Sequence, residues 1–183
     1  MQIGIIGIGS VTLNFAQRAA KSGHQVLISS TRDNGPLREI VSQMGSNAKL
    51  VSTTQAATAD IIILFSPWEE LEILLKNLPN MAGKIIMHTN YPIFNLNSFI
   101  SEQKLNLSCE IIASILPTAE IVKIYNILGS LEDCSSYRQP KERTEIFFSG
   151  KNKTAKNNVK AFLESLNYSG IDIITTQNTS TCM

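Results

Sequence analysis

The fold is decided near the start of the chain by IGIIGIGSVT, residues 3–12, followed by an amphipathic stretch and then by VLISSTR, residues 26–32. The apolar run into Gly7 and Gly9 predicts a short buried strand that ends in a tight turn. Because neither glycine has a side chain, a pyrophosphate can approach the backbone at the positive N-terminus of the following helix. The stretch therefore predicts the first half of a dinucleotide site.

Composition limits the class of protein. The chain has 183 residues, 43% of them hydrophobic, which is enough for one domain with a sizeable core. Sixteen basic and fifteen acidic residues leave a formal charge of +1, so charge gives no reason to expect nucleic acid or an anionic membrane as partner. The expected partner is a small molecule.

The cysteines and the N-terminus indicate the compartment. Cys109, Cys134 and Cys182 are odd in number, far apart and without a C-x-x-C pair, which favours neither a disulfide framework nor a zinc site. The chain enters its first strand without a basic region or cleavage site, and no apolar run reaches the roughly twenty residues that a spanning helix needs. We therefore expect a cytoplasmic protein with no metal and no membrane segment.

Strand-like and helix-like segments alternate along the chain. This alternation predicts an α/β fold with a doubly wound, mostly parallel sheet, the NAD(P)-binding Rossmann fold, over residues 1–174, with a polar tail at 175–183. Residues 110–116 fit either a helix or a strand, and residues 129–143 predict a long surface loop that could serve as a catalytic lid. After the first strand, further strands are predicted at residues 25–30, 49–52, 61–65, 83–88, 120–128, 145–148 and 171–174.

The glycine turn departs from the usual G-x-G-x-x-G pattern at its third glycine, where Thr12 would crowd the contact between helix and strand. The context still fits, since the glycines follow a strand and open a helix within a βαβ unit of about thirty residues. A glycine-rich turn without a ligand is the alternative. The residues expected to contact the cofactor here are Gly7, Ile8, Gly9, Ser10, Val11 and Thr12.

The end of the second strand discriminates between the two dinucleotides. An NAD site places a carboxylate there to bind the ribose 2′-hydroxyl, whereas Ser30, Thr31 and Arg32 offer two hydroxyls and a guanidinium suited to a 2′-phosphate. Arg38 in the next helix could add charge. The pattern predicts NADP as the cofactor; the alternative is that Arg32 is a solvated turn residue, which the neighbouring Asp33 favours.

The ends of the fourth and fifth strands are expected to flank the nicotinamide, because ligands bind at the carboxyl ends of strands in open α/β sheets. The residues concerned are Ser66, Pro67, Trp68, His88 and Asn90. Trp68 could equally be a packing residue, and His88 a buried strand end. Neither His88 nor His24 has a carboxylate nearby in sequence, so no catalytic acid–base residue is identified.

These motifs together resemble the NADP-binding family of the NADPH-dependent deazaflavin (coenzyme F-420) reductases, which is related to the cytoplasmic reductase domain of the Steap ferric reductases. The resemblance implies NADPH at the glycine turn, nicotinamide near Ser66 and Asn90, hydride transfer to a flavin-like acceptor, and a homodimer. The matching stretches are residues 7–12, 22–26, 30–32, 60–68, 83–92 and 121–126.

The chain departs from the family at several positions. Thr12 replaces the third glycine, Tyr91 separates Asn90 from Pro92, and Ile127 replaces a usual threonine. The sequence ends soon after the last predicted strand, where the resemblance leads us to expect another helix that helps to build the acceptor site and the dimer. NADP binding therefore follows from the resemblance more firmly than deazaflavin specificity does.

Two functions are open at this point. The first is an NADP-dependent oxidoreductase that transfers hydride between NADPH and a flavin or deazaflavin, which needs little proton-transfer machinery because the chemistry belongs to the cofactors. The second is a non-catalytic NADP(H) sensor or a subunit of a larger reductase, which the short C-terminus favours. An imine or hydroxy-acid dehydrogenase ranks last, since 183 residues leave no room for its helical substrate domain.

Overall fold

The computed structural model describes residues 1–30, 35–88, 98–125 and 143–173, which form one eight-stranded sheet with helices on both faces. The strand order is β3-β2-β1-β4-β5-β6-β7-β8. The strands are β1 (Gln2–Ile6), β2 (Gln25–Ser29), β3 (Ala48–Leu50), β4 (Ile61–Leu64), β5 (Ile85–His88), β6 (Glu120–Tyr125), β7 (Glu145–Gly150) and β8 (Ser169–Asp172). The helices in these ranges are α1 (Ser10–Lys21), α2 (Gly35–Gln43), α3 (Thr53–Ala56), α4 (Trp68–Lys76), α5 (Ser98–Ile115) and α6 (Lys153–Ser165).

The central strands are apolar throughout because helices cover both of their faces. In β4, Ile61 and Ile63 join the core beneath α1, α2 and α6, while Ile62 and Leu64 join the second core beneath α3, α4 and α5. The expected α/β fold with a mostly parallel, doubly wound sheet is confirmed.

Strand order reverses between β1 and β4, and this reversal positions the site. β1 pairs in parallel with β2 on one side and with β4 on the other, so the connections that leave β1 and β4 diverge to opposite faces. At the carboxyl end of β1, the Gly7 N–H donates to the Ser29 carbonyl, and the Phe65 N–H donates to the Ile6 carbonyl. The ends of three strands are thereby held together around one opening.

The second half of the sheet differs from a wholly parallel pattern. β7 runs antiparallel to β6, and β8 then pairs in parallel with β7 after the crossover through α6. A parallel pair needs a crossover helix, whereas an antiparallel pair does not.

Segment 110–116, which fitted either structure, belongs to α5, a single helix from Ser98 to Ile115. Ile112 and Leu116 lie one turn apart and both pack into the second core. Most of the predicted loop at 129–143 and the whole of the predicted tail at 175–183 lie outside the described residues. No helix in the described part of the chain is long and apolar enough to cross a membrane.

Candidate functional site: the crevice at the β1–α1 turn

The turn between β1 and α1 depends on glycine at position 7. Gly7 has a φ of +92°, and a β-carbon at this position would collide with the Phe65 carbonyl at the end of β4. A β-carbon on Gly9 would be 3.0 Å from the Phe65 ring. The glycines therefore allow the turn to pack closely against the end of β4.

Thr12 holds this turn from within the helix. Its side chain is fully buried, and its Oγ1 accepts a hydrogen bond from the Gly9 N–H at 2.9 Å. The same hydroxyl lies 3.2 Å from the Gly7 carbonyl oxygen and 3.1 Å from that of Gly9, to one of which it donates at a time. The sequence predicts crowding at this third-glycine position, but the structure accommodates Thr12 as a cap.

The N-terminus of α1 is open beyond this cap. Gly9 is the N-cap residue and offers no side chain, and Ser10, the first helical residue, is exposed. No acidic residue lies in the first turn. The first N–H groups of a helix have no partner within the helix, and the helix dipole adds partial positive charge there, so this end can receive an anion.

A crevice of about 300 Å³ opens beside the turn, at the carboxyl ends of β1, β2 and β4. Its lining is mostly apolar, and its polar side chains are the hydroxyls of Ser30 and Ser66. None of the lining residues within the described part of the chain carries a carboxylate, which an NAD site normally places at the end of β2. The lining residues are Gly7, Ile8, Leu13, Ser30, Pro36, Leu37, Ile40, Phe65, Ser66, Pro67 and Leu74.

The structure brings five of the predicted site residues together in this crevice: Gly7, Ile8, Ser30, Ser66 and Pro67. Pro67 is also the N-cap of α4, and Trp68 is the first residue of that helix. The predicted positions Thr31, Arg32 and Asn90 lie outside the described residues. Arg38, which could have added charge, is exposed on α2.

Apolar residues from helices complete the crevice, and sequence reasoning missed them. Leu37 and Ile40 lie three residues apart on α2, Leu13 comes from α1, and Leu74 comes from α4. The three-residue spacing at the start of α2 is the signal that could have identified one wall, because such residues share a helix face. A base or ribose can pack against this apolar surface.

His88 ends β5 but does not line the crevice. Its side chain is fully buried, and its Nε2 lies 2.6 Å from the Ser108 hydroxyl of α5. Burial, together with the positive charge of Lys123 on β6, lowers the pKa of His88 to about 4, so the ring is neutral near pH 7. His88 is therefore an internal polar group below the strand ends.

His24, the other histidine, lies in the turn between α1 and β2. Its Nε2 is 2.8 Å from the Ser165 hydroxyl, and its ring packs edge-on against Phe162. Burial lowers its pKa, with a smaller contribution from the charged N-terminus. Within the part of the chain that the structure describes, no group of His, Cys, Asp and Glu is arranged to hold a metal ion.

Comparison with known proteins gives a family match in the N-terminal half of the chain, which also contains the crevice. Residues 2–91 match the family described as "NADP oxidoreductase coenzyme F420-dependent". The matched family is the one that the sequence motifs resemble. It contains every residue predicted to bind the cofactor, and the cofactor named for the family is the predicted NADP.

Solved structures with a similar fold match nearly the whole length of this chain. A hypothetical protein from Sinorhizobium meliloti has a TM-score of 0.75 at 21% identity, and the match covers 94% of this chain and 84% of that one. A protein from Arthrobacter sp. FB24, provisionally described as an F420-dependent NADP reductase, has a TM-score of 0.70 at 22% identity with the same coverage. No curated protein sequence matches the chain significantly.

Longer dehydrogenase-like enzymes share the fold over part of their length. An imine reductase from Aspergillus terreus, in complex with NADPH4, has a TM-score of 0.63 at 19% identity. The match covers 94% of this chain but 54% of the imine reductase. At these identities the similarity shows the Rossmann-type fold.

Proposed function

We propose that this protein binds NADP(H) in the crevice at the β1–α1 turn and transfers hydride between NADPH and a flavin or deazaflavin-type acceptor. The observation that carries the proposal is the form of the crevice: a glycine turn at a helix N-terminus beside a mostly apolar pocket, whose polar side chains among the described residues are the hydroxyls of Ser30 and Ser66. The pyrophosphate would accept hydrogen bonds from the N–H groups at the start of α1. The adenosine would pack against the apolar wall.

The 2′-phosphate would be bound at the end of β2. Ser30 lies at the crevice, and Thr31 and Arg32 follow it directly in the sequence. A guanidinium can form two parallel hydrogen bonds to a phosphate, whereas the carboxylate of an NAD site would repel it. This arrangement favours NADP over NAD.

The nicotinamide would extend toward the ends of β4 and β5. Ser66 and Pro67 come from the first of these ends, and Trp68 and Asn90 complete the proposed set, which leaves out the buried His88. Hydride transfer between two stacked cofactors depends on distance and orientation, and the redox chemistry is supplied by the cofactors. The described residues that line the crevice carry no titratable side chain, which is compatible with such a reaction.

The substitution Arg32→Glu tests the cofactor assignment. We expect the wild-type protein to bind NADPH about tenfold to a hundredfold more tightly than NADH, since hydrogen bonds to a charged group contribute about 1.5–3 kcal/mol. In Arg32→Glu this preference should disappear, because a carboxylate repels the 2′-phosphate. Isothermal titration calorimetry of both dinucleotides measures the ratio.

Lys153→Glu is the matched control, because it makes the same change in charge at an exposed position on α6. It should leave the ratio of NADPH to NADH affinity unchanged. Equal affinities of the wild-type protein for both dinucleotides would contradict the assignment.

The second candidate is a non-catalytic NADP(H) sensor or a reductase subunit, which a lining without titratable side chains among the described residues also allows. An acceptor screen separates the two functions. NADPH oxidation is followed by absorbance with flavins, a deazaflavin and ferric chelates as acceptors. Turnover with a flavin-type acceptor supports the oxidoreductase, while tight NADPH binding without turnover by any acceptor supports the sensor.

A homodimer in the cytoplasm completes the proposal. The dimer follows from the family resemblance, and sedimentation of the purified protein tests it. Burial raises the pKa of the Cys109 thiol to about 11, which keeps it protonated and unreactive. A buried free thiol agrees with a reducing compartment.

A further inference from the structure

We infer that Thr12 is a positioning residue for the dinucleotide: without touching it, the buried hydroxyl orients the glycine turn so that the first N–H groups of α1 receive the pyrophosphate. The inference rests on the proposed function. It concerns a position at which this chain departs from the G-x-G-x-x-G pattern.

Thr12 is fully buried. No part of its side chain is exposed, so its hydroxyl cannot reach a ligand in the crevice as the protein is folded. The hydroxyl is nevertheless fully used, as an acceptor from Gly9 and as a donor to the carbonyl of Gly7 or Gly9. Its partners are thus main-chain groups of the turn itself.

The conformation of the turn at Gly9 is fixed by a hydrogen bond from outside that residue. Gly9 has φ and ψ of −153° and 172°, an extended conformation that ends abruptly where α1 begins. A glycine N-cap supplies no side chain to fix this geometry, and glycine has more backbone freedom than any other residue type. The bond from the Gly9 N–H to Thr12, at 2.9 Å, supplies the missing restraint.

The hydrogen bonds of the turn determine which main-chain N–H groups at the start of α1 remain available as donors to a ligand. The Gly9 N–H is occupied by Thr12, and the first helical bond is donated by the Leu13 N–H to the Gly9 carbonyl. The N–H groups between these two belong to the first turn, where a helix provides no acceptor. Fixing Gly9 therefore aligns the N–H groups of Ser10 and Val11 toward the space in which the pyrophosphate is proposed to bind.

Thr12→Val tests the inference, because valine has nearly the shape of threonine and lacks the hydroxyl. Loss of one hydrogen bond of this kind should weaken binding of both NADPH and NADH about fivefold, since both carry the pyrophosphate. Adenosine 2′-monophosphate has no pyrophosphate, so its affinity should change less than twofold. Calorimetry at a temperature where each variant is folded gives the three dissociation constants.

Two further variants complete the test. Thr12→Ser keeps the hydroxyl and should restore wild-type affinity, while Thr12→Ala, a second variant without the hydroxyl, should reproduce the loss. Ser149→Ala is the matched control: it removes another buried hydroxyl, bonded to Tyr125 between β6 and β7 and not in contact with the glycine turn, and should leave all three constants unchanged.

The inference is overturned if Thr12→Val binds NADPH as the wild-type protein does, or if adenosine 2′-monophosphate loses affinity by the same factor. Failure of Thr12→Ser to restore binding would also overturn it. If the wild-type protein binds no dinucleotide at all, the proposed function fails first and takes this inference with it.

Discussion

The two strand-to-helix turns β1–α1 and β7–α6 satisfy the start of a helix in different ways. At β7–α6 the N-cap residue Asn152 accepts a hydrogen bond from the Ala155 N–H at 3.0 Å and donates to the Glu120 carboxylate at 2.9 Å. At β1–α1 the N-cap is Gly9, and the capping hydroxyl comes from Thr12 within the helix. In the second arrangement the hydroxyl occupies the Gly9 N–H, and the N-cap residue offers no side chain to the N–H groups of the first helical turn.

This difference separates a turn built for stability from one able to bind a ligand. An N-cap side chain occupies the N–H groups that an anion would otherwise use. The short helix α3 follows the first pattern, since the Ser52 hydroxyl accepts from the Gln55 N–H. The β1–α1 turn differs from both and lies beside the crevice, as does the start of α4, whose N-cap Pro67 likewise makes no side-chain cap.

The largest expected effect concerns the packing of the β1–α1 turn on β4. Gly7→Ala should destabilise the protein by more than about 3 kcal/mol, because the new β-carbon collides with the main chain of Phe65. Gly23→Ala is the control: Gly23 also has a positive φ, +82°, but open space around it, and should lose only about 1 kcal/mol. Urea unfolding measures both, and equal losses would contradict the close approach of turn and strand.

The next effect tests whether His88 is internal or faces the cofactor. Its pKa is about 4 in the folded protein and about 6.5 when unfolded, so the unfolded state binds more protons below pH 6.5. Stability should therefore fall by about 2–3 kcal/mol between pH 7 and pH 4.5.

His88→Gln is the control for this pH dependence. The variant is expected to be less stable at pH 7, because the bond to Ser108 is disturbed, but it should lack the His88 part of the pH dependence. NADPH affinity of the wild-type protein measured over the same range should not follow the titration of His88. A fall in affinity that is present in the wild-type protein and absent from His88→Gln would place His88 at the cofactor, because the 2′-phosphate, with a pKa of about 6, titrates equally in both.

The smallest expected effect comes from a direct comparison of the caps at the start of α1 and of α6. Asn152→Ala removes the side-chain cap of α6 and should cost about 1 kcal/mol of stability. NADPH affinity should remain that of the wild-type protein, in contrast to the fivefold loss expected for Thr12→Val. Unfolding and calorimetry of the same preparations make this comparison, and a loss of affinity in Asn152→Ala would remove the distinction between the two turns.

The sequence predicts the parts of the site that depend on local chemistry. Gly7 is identifiable because only glycine adopts its backbone conformation, and the apolar run at 61–65 identifies a strand buried on both faces. The expected α/β sheet follows from such local patterns. The strand ends then meet at one edge because parallel strands align their carboxyl ends.

Features that depend on tertiary packing escape the sequence. The role of Thr12 depends on the path of the main chain around Gly9, which the residue pattern does not specify. The wall formed by Leu37 and Leu74 joins two helices that are distant in sequence. The antiparallel direction of β7 is likewise absent from its pattern, because alternation of side chains is the same in both directions.

A crystal structure of the protein with NADPH tests the central claim most directly. The account predicts pyrophosphate oxygens within about 2.7–3.2 Å of the N–H groups of Ser10 and Val11, and the 2′-phosphate bound by Arg32. An empty crevice beside Gly7, with the Arg32 side chain directed into bulk solvent, would contradict it.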